Sequence, residues 1–160
     1  MAIHLSHTSM IKESLPEFIE AAEYCIEYRK DSQKWGSTGC YGYPANVLLL
    51  VIADAVGSYV LGGQTRNHFN ILNHPDYYDL KLDDSTITII YEAFRCLGTH
   101  NAVLGNNVIL DIGKDEDPIV SNNNGVTTLK LKPFLNLTKT VVQKFLANAD
   151  QLVPAEVTKK

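Results

Sequence analysis

Hydrophobic residues recur every three or four positions in several stretches of the chain, and this spacing predicts helices with one buried face. The first stretch runs to about Lys30. It contains Pro16, which a helix accepts in its first turn, so we expect this helix to begin near Ser14. The second stretch, residues 45–61, is apolar nearly all round and stops at the glycines 62–63. That pattern is typical of a buried central helix.

Three further stretches also favour helices. A helix cap at residues 84–85 precedes a pattern that continues through Arg95. Residues 86–90 are rich in β-branched side chains, as strands are, but the three-four spacing that follows favours a helix. A short helix is expected around residues 69–72, and a last helix over residues 133–149, where a proline stands at its start.

Between Arg95 and the last helix the pattern changes to short strand-like runs. Residues 108–112 and 126–131 have this character, and the Asn-Gly pair at 124–125 is a hairpin turn signal. A third short strand is expected at residues 118–120. We therefore predict a mainly α fold, a compact bundle of four to five helices with a small antiparallel β-hairpin before the last helix.

Length, charge and composition limit the number of domains and the kinds of partner that the chain can have. Its 160 residues, 45% of them hydrophobic, fit one globular domain, which we place at residues 1–153 with a disordered tail at 154–160. The formal charge is −4, with acidic residues scattered along the chain. Broad nonspecific nucleic-acid binding through a basic face is therefore not expected, although a small local basic site is compatible with this charge.

The three cysteines favour a reducing cytoplasm, since they have no metal-binding or paired spacing. Cys25 and Cys96 fall in apolar periodic segments and should be small buried residues, whereas Cys40 lies in a Gly/Tyr loop and is expected to be exposed. No export signal is seen. The longest apolar stretch, residues 47–56, is too short to span a bilayer. We expect no membrane insertion, no metal and no cofactor.

The loop over residues 31–43 is long for a compact domain, and such loops are often functional. It carries three large aromatic residues, Trp35, Tyr41 and Tyr43. They could line a binding cleft, or they could pin the loop to the core, which is the commoner use of aromatic residues in loops. The sequence leaves both interpretations open.

Arg95 and His100 are the residues that most suggest chemistry. Arginine keeps its proton and holds phosphate oxygens, while histidine exchanges a proton near neutral pH. On an ideal helix their directions differ by about 140°, so they converge only if the helix breaks near Gly98 or if two copies of the chain meet. Asp54 is the one charged residue of the central helix and needs a partner. It either ties helices together or orients Arg95 or His100.

Residues 91–101, with an arginine, a short spacer and a histidine, resemble the signature of HEPN domains (higher eukaryotes and prokaryotes nucleotide-binding). The apolar helix at 45–63 is similar to the preceding helix in HEPN-like bacterial proteins. The resemblance implies a helical bundle acting as a metal-independent endoribonuclease of toxin or defence type, with RNA as substrate, a homodimer as its active form and an antitoxin as a further partner. Arg95 would hold the scissile phosphate, His100 would transfer a proton, and Asp54 would position them.

Two positions depart from this family pattern. Cys96 stands where active members commonly have a polar residue, and Ala102 where some members have a tyrosine. Two functional classes therefore remain: a dimeric, cytoplasmic ribonuclease using Arg95 and His100, and a catalytically inactive HEPN-like structural or protein-interaction module in which the same residues cross-link helices.

Overall fold

The structure of the protein, a computed structural model, describes residues 6–154 and is mainly α-helical, as predicted. Helix α1 (His7–Glu27) begins earlier than expected, because Ser6 and Ser9 form a reciprocal cap. The Ser6 hydroxyl accepts the Ser9 amide at 3.2 Å, and the Ser9 hydroxyl accepts the Ser6 amide at 3.3 Å. Pro16 thus lies inside the helix, and the predicted start near Ser14 is wrong.

Helix α3 (Gly42–Val60) forms the centre of the fold. Its apolar face packs against α1 on one side and, on another, against α7 (Leu131–Ala147). By length and composition alone α3 could cross a bilayer. In this fold it is packed as the core helix of a folded domain. The buried residues of α3 are Ala45, Asn46, Leu49, Leu50, Ile52, Ala53, Val56 and Gly57.

Short elements connect these long helices. The predicted loop at residues 31–43 contains a single helical turn, α2 (Ser32–Trp35). After α3 come α4 (Thr65–His68) and a 3-10 turn (Phe69–Asn73), which corresponds to the expected short helix. The chain ends, within the described residues, with α8 (Ala149–Leu152); the expected tail falls outside them apart from Pro154.

Residues 84–101 form one continuous helical stretch, so the helix prediction for residues 86–90 is confirmed. It is built from α5 (Asp84–Ile89), a π-helical segment (Ile90–Cys96) and α6 (Leu97–Asn101). The cap is Asp83, whose carboxylate accepts the Thr86 amide at 2.7 Å.

The small sheet has the strand order β1-β3-β2. Strands β2 (Val120–Asn123) and β3 (Val126–Lys130) form the predicted antiparallel hairpin, with left-handed backbone at Asn124 and Gly125. Strand β1 (Val108–Asp111) runs parallel to β3, so the expectation of an entirely antiparallel sheet is wrong. The chain passes from β1 to the far edge of the sheet before it forms β2, so β1 lies beside β3 and not beside β2, as it would in a simple meander.

Candidate functional site

Asp54 lies between the side chains of an arginine and a histidine from different elements. Its Oδ2 accepts a hydrogen bond from Nη2 of Arg95 at 2.8 Å, and its Oδ1 lies 2.7 Å from Nδ1 of His68. The three side chains are only 16%, 19% and 13% exposed, in the order Asp54, Arg95, His68. The carboxylate thus has the partners that its position in an apolar helix requires. We call these three residues the Asp54 triad.

A close backbone approach brings His68 to Asp54. Gly57 lies one helical turn beyond Asp54 in α3, and a Cβ atom at this position would lie 2.1 Å from the carbonyl oxygen of His68. Only glycine therefore lets α4 contact α3 here. The second ring nitrogen, Nε2, lies 3.2 Å from the carbonyl oxygen of Gly63. Since the neutral ring has a single N–H, His68 donates to both acceptors only when both nitrogens carry a proton.

His68 was not predicted as part of this site. The sequence feature that could have indicated this role is a histidine in the short segment after the glycines 62–63 that end the central helix. That signal cannot be distinguished from an ordinary loop histidine without the Gly57 contact.

Arg95 lies in the π-helical segment, where residues five apart align. The Leu97 amide donates to the carbonyl of Glu92, five residues earlier. On the same segment, a hydrogen bond to Cys96 is the main cause that raises the pKa of Tyr91, and burial adds to it. Tyr91 packs its ring 5.5 Å from that of Phe69. π-helical segments are frequent at functional sites, but they also serve packing.

The carbonyl of Ala93, in the π-helical segment, accepts a hydrogen bond from a residue outside the helix. The Gly105 amide donates to it at 3.0 Å. A Cβ atom at Gly105 would lie 2.6 Å from the Cβ of Ala93, so the loop after α6 packs directly on the π-helical segment. This contact supports the backbone that carries Arg95.

Asn46 supports the next carbonyl from inside the core. Its side chain is fully buried, and Nδ2 donates to the carbonyl of Phe94 at 3.1 Å. Its Oδ1 and the Nε of Arg95 are buried atoms without a hydrogen-bond partner among residues 6–154. The segment that carries Arg95 is therefore supported from the core by Asn46, and each of these two side chains keeps one buried polar atom without a partner among residues 6–154.

His100 does not join the triad. It lies exposed on α6, and within the described part of the chain its ring forms no hydrogen bond or ion pair. The helix continues through Gly98, which packs near Asn46, and ends at Ala102 with left-handed backbone. The break near Gly98 that would let His100 turn back is absent from this helix, so the structure brings together Asp54 and Arg95 but not His100.

Two adjoining pockets lie elsewhere, around the loop at residues 31–43. The larger, about 430 Å³, we call the aromatic cleft. The other, about 310 Å³, shares three of its residues and is also lined by Asp111 and Leu131. The aromatic cleft is lined by Lys30, Trp35, Tyr41, Gly42, Tyr43 and Pro44.

The aromatic residues of the loop differ in their positions. Tyr41 pins the loop, since its ring stacks on Tyr28 at 4.7 Å with an interplanar angle of 8°. Trp35 and Tyr43 remain 49% and 53% exposed and line the aromatic cleft. The ammonium of Lys30 lies 5.3 Å from the Trp35 ring centroid and 5.8 Å from that of Tyr41.

The cysteines differ from expectation. Cys40 is buried rather than exposed, because the loop folds back and the Tyr41 amide donates to the carbonyl of Cys25. Burial raises the pKa of both Cys25 and Cys40. Cys25 and Cys96 are half-buried rather than fully enclosed. Within residues 6–154, no three His, Cys, Asp or Glu side chains come together as a metal site would require.

The function of this chain has to be inferred from the geometry of its own residues. No protein-family model, curated protein or solved structure matches it.

Proposed function

We propose that this protein is a catalytically inactive HEPN-like module, in which Arg95 holds helices together and the surface binds a partner. The observation that carries this proposal is the Arg95–Asp54 ion pair, at 2.8 Å between two largely buried side chains. A phosphate at Arg95 would have to displace the carboxylate and would meet its negative charge. The role of Arg95 in this proposal is therefore to stabilise the fold through its ion pair with Asp54.

The position of His100 supports the same proposal. Cleavage of RNA by an arginine and a histidine requires both to reach one phosphate and its neighbouring hydroxyl. In a single chain Arg95 faces Asp54 inside the helical bundle, while His100 lies exposed on α6. The two residues therefore do not form one reaction centre within the chain.

One observation favours a second candidate, the dimeric ribonuclease. The exposed ring of His100 forms no hydrogen bond with any residue in the range 6–154, so it is free to contribute to a site shared with a second copy. In that case the protein is a metal-independent, cytoplasmic endoribonuclease of toxin or defence type. RNA is its substrate, and an antitoxin protein is a further partner.

RNA cleavage in a chelating buffer separates the two candidates. Wild type, His100→Ala and the control His74→Ala are incubated with a long single-stranded RNA. The inactive module predicts no cleavage above buffer in any of the three samples. Cleavage by wild type and His74→Ala that is lost in His100→Ala would establish the ribonuclease and reject the proposal.

A further inference from the structure

We propose that Cys25 and Cys40 form a reversible disulfide that fastens the loop at residues 31–43 to α1. The oxidant belongs to the disulfide class, for example glutathione disulfide. The spacing of the two cysteines along the sequence does not indicate a pair. The fold nevertheless places them together. Neither the Asp54 triad nor His100 takes part, so the proposal is independent of the function proposed above.

A backbone hydrogen bond holds the two cysteines side by side. The amide of Tyr41, the residue after Cys40, donates to the carbonyl oxygen of Cys25 at 3.0 Å. Only two bonds separate each of these two atoms from the Cα atom of the cysteine on its side. With standard bond lengths, the two Cα atoms are therefore no more than about 7 Å apart. Disulfides join cysteines whose Cα atoms lie about 4.4–6.8 Å apart.

Two further contacts keep the segment around Cys40 against α1. The Lys30 amide donates to the carbonyl of Gly39 at 3.0 Å. The ring of Tyr41 stacks on that of Tyr28 at 4.7 Å between centroids. The fold thus holds this segment on both sides of Cys40 before any bond forms. Reacting groups held in this way have a high effective concentration.

The surroundings of the two thiols support the same pairing. Burial is the main cause that raises the pKa of Cys25, and the neighbouring Cys40 adds to it. Burial also raises the pKa of Cys40, whereas the charges of Arg29 and Lys30 oppose that rise. The two side chains therefore lie close enough to interact electrostatically. The cations beside Cys40 favour its thiolate, which is the form that attacks a disulfide.

The more accessible thiol reacts first. Cys25 is half-buried, whereas Cys40 is only 8% exposed. The Cys25 thiolate attacks glutathione disulfide, forms a mixed disulfide and releases one glutathione thiolate. The Cys40 thiolate then attacks Sγ of Cys25 and expels the second glutathione thiolate. The two cysteines lose two electrons and two protons, and the two glutathione molecules gain them as thiols.

The bond would close a ring over residues 25–40, which contains α2 and Trp35. It would tie one wall of the aromatic cleft to α1. Closing a ring of about 15 residues restricts the unfolded chain, so the oxidised protein should melt about 5–10 °C higher than the reduced one. Excess dithiothreitol should reverse this shift. A reducing environment keeps both cysteines as thiols, as they are in this structure.

Peptide mapping tests the bond directly. The folded protein is incubated with glutathione disulfide, its remaining thiols are alkylated in urea, and it is digested with trypsin without reduction. Cleavage after lysine and arginine places the three cysteines in separate peptides, residues 13–29, 35–66 and 96–114. We expect the first two peptides to be linked and the third to be absent from the linked product.

Variants and an unfolded control sharpen the test. Cys25→Ser and Cys40→Ser should each abolish the linked peptides and the rise in melting temperature. Cys96→Ser, the matched control, should keep both. Circular dichroism confirms that each variant is folded. In wild type alone, the equilibrium constant of the bond against glutathione should be about 10- to 100-fold larger in the folded protein than in urea, because a bond that stabilises the fold is itself stabilised by folding.

Three results would overturn the proposal. The first is the absence of the linked peptides from the folded protein under conditions in which the urea-unfolded chain forms them. The second is a bond that instead involves Cys96 or a second copy of the chain. The third is an equilibrium constant that is equal or smaller in the folded protein, which would mean that the fold does not hold Cys25 and Cys40 in position to pair.

Discussion

Nη2 of Arg95 lies 2.8 Å from Oδ2 of Asp54, the same distance that separates Nζ of Lys12 from Oδ1 of Asp150. The two ion pairs differ in their surroundings. Asp54 is 16% exposed and Asp150 is 77% exposed. Since water screens an exposed pair and leaves a buried one nearly unscreened, equal distances should have unequal consequences for stability.

Asp54→Asn should lower the free energy of unfolding by about 3 kcal/mol, because it leaves the largely buried Arg95 guanidinium without a carboxylate. Chemical denaturation monitored by circular dichroism measures the change. Asp150→Asn is the matched control and should cost less than about 0.5 kcal/mol. Similar losses in both variants would show that the Asp54 triad contributes no more than a surface pair.

Gly57→Ala should destabilise the protein by about 1–3 kcal/mol, as overpacking of a core does. The new Cβ would lie 2.1 Å from the carbonyl oxygen of His68, so α4 must move away from α3. That movement also separates the His68 ring from Asp54. Thermal and chemical unfolding measure the loss.

Gly98→Ala is the control for this substitution, since it too places a Cβ inside a helix. The nearest side-chain atom, Nδ2 of Asn46, would be 3.4 Å away, which is an ordinary contact. Alanine is the better helix former by up to about 1 kcal/mol, so Gly98→Ala should be neutral or stabilising. A loss as large as that of Gly57→Ala would contradict the continuous helix through Gly98.

Asn46→Ala should cost about 2 kcal/mol, because the buried carbonyl of Phe94 loses the donor that supports the π-helical segment. The free energy of unfolding measures this cost. Asn136→Ala removes an exposed hydrogen bond to Asp115 and should have little effect. Equal, small effects would mean that Asn46 does not support the segment that carries Arg95.

Stability should fall above pH 10 because of Tyr78. This ring is 2% exposed, and burial raises the pKa of its hydroxyl above the ordinary value of 10. Above that pH the unfolded chain releases a proton that the folded chain retains, which favours unfolding by up to about 1.4 kcal/mol per pH unit. Tyr78→Phe should reduce the slope of unfolding free energy against pH. Identical slopes in the two proteins would refute this role.

The helices and the hairpin could be predicted because their signals are local. The apolar spacing marks α3 and α7, and the pair Asn124-Gly125 marks the turn between β2 and β3. The start of α1 was missed because Ser6 caps it with Ser9, not with the glutamate or glutamine that marks a common capping box. The position of β1 beside β3 depends on the path of the chain between β1 and β2, which the spacing of apolar residues does not encode.

The candidate site was predictable only in part. A single carboxylate in an apolar helix indicates that Asp54 needs a partner, and Arg95 is that partner. The role of His68 depends on a backbone contact at Gly57, and the orientation of Arg95 depends on the π-helical segment. Both are tertiary features. His100 lies outside the site because the helix continues through Gly98 and leaves this side chain exposed on α6.

A double-mutant cycle on Asp54 and Arg95 tests the central claim, that Arg95 is held by Asp54 for the stability of the fold. The free energies of unfolding of wild type, Asp54→Asn, Arg95→Gln and the double variant are compared. We predict a coupling energy of about 2 kcal/mol between the two residues. Additive effects, with a coupling below about 0.5 kcal/mol, would contradict the claim and would leave Arg95 free for another role.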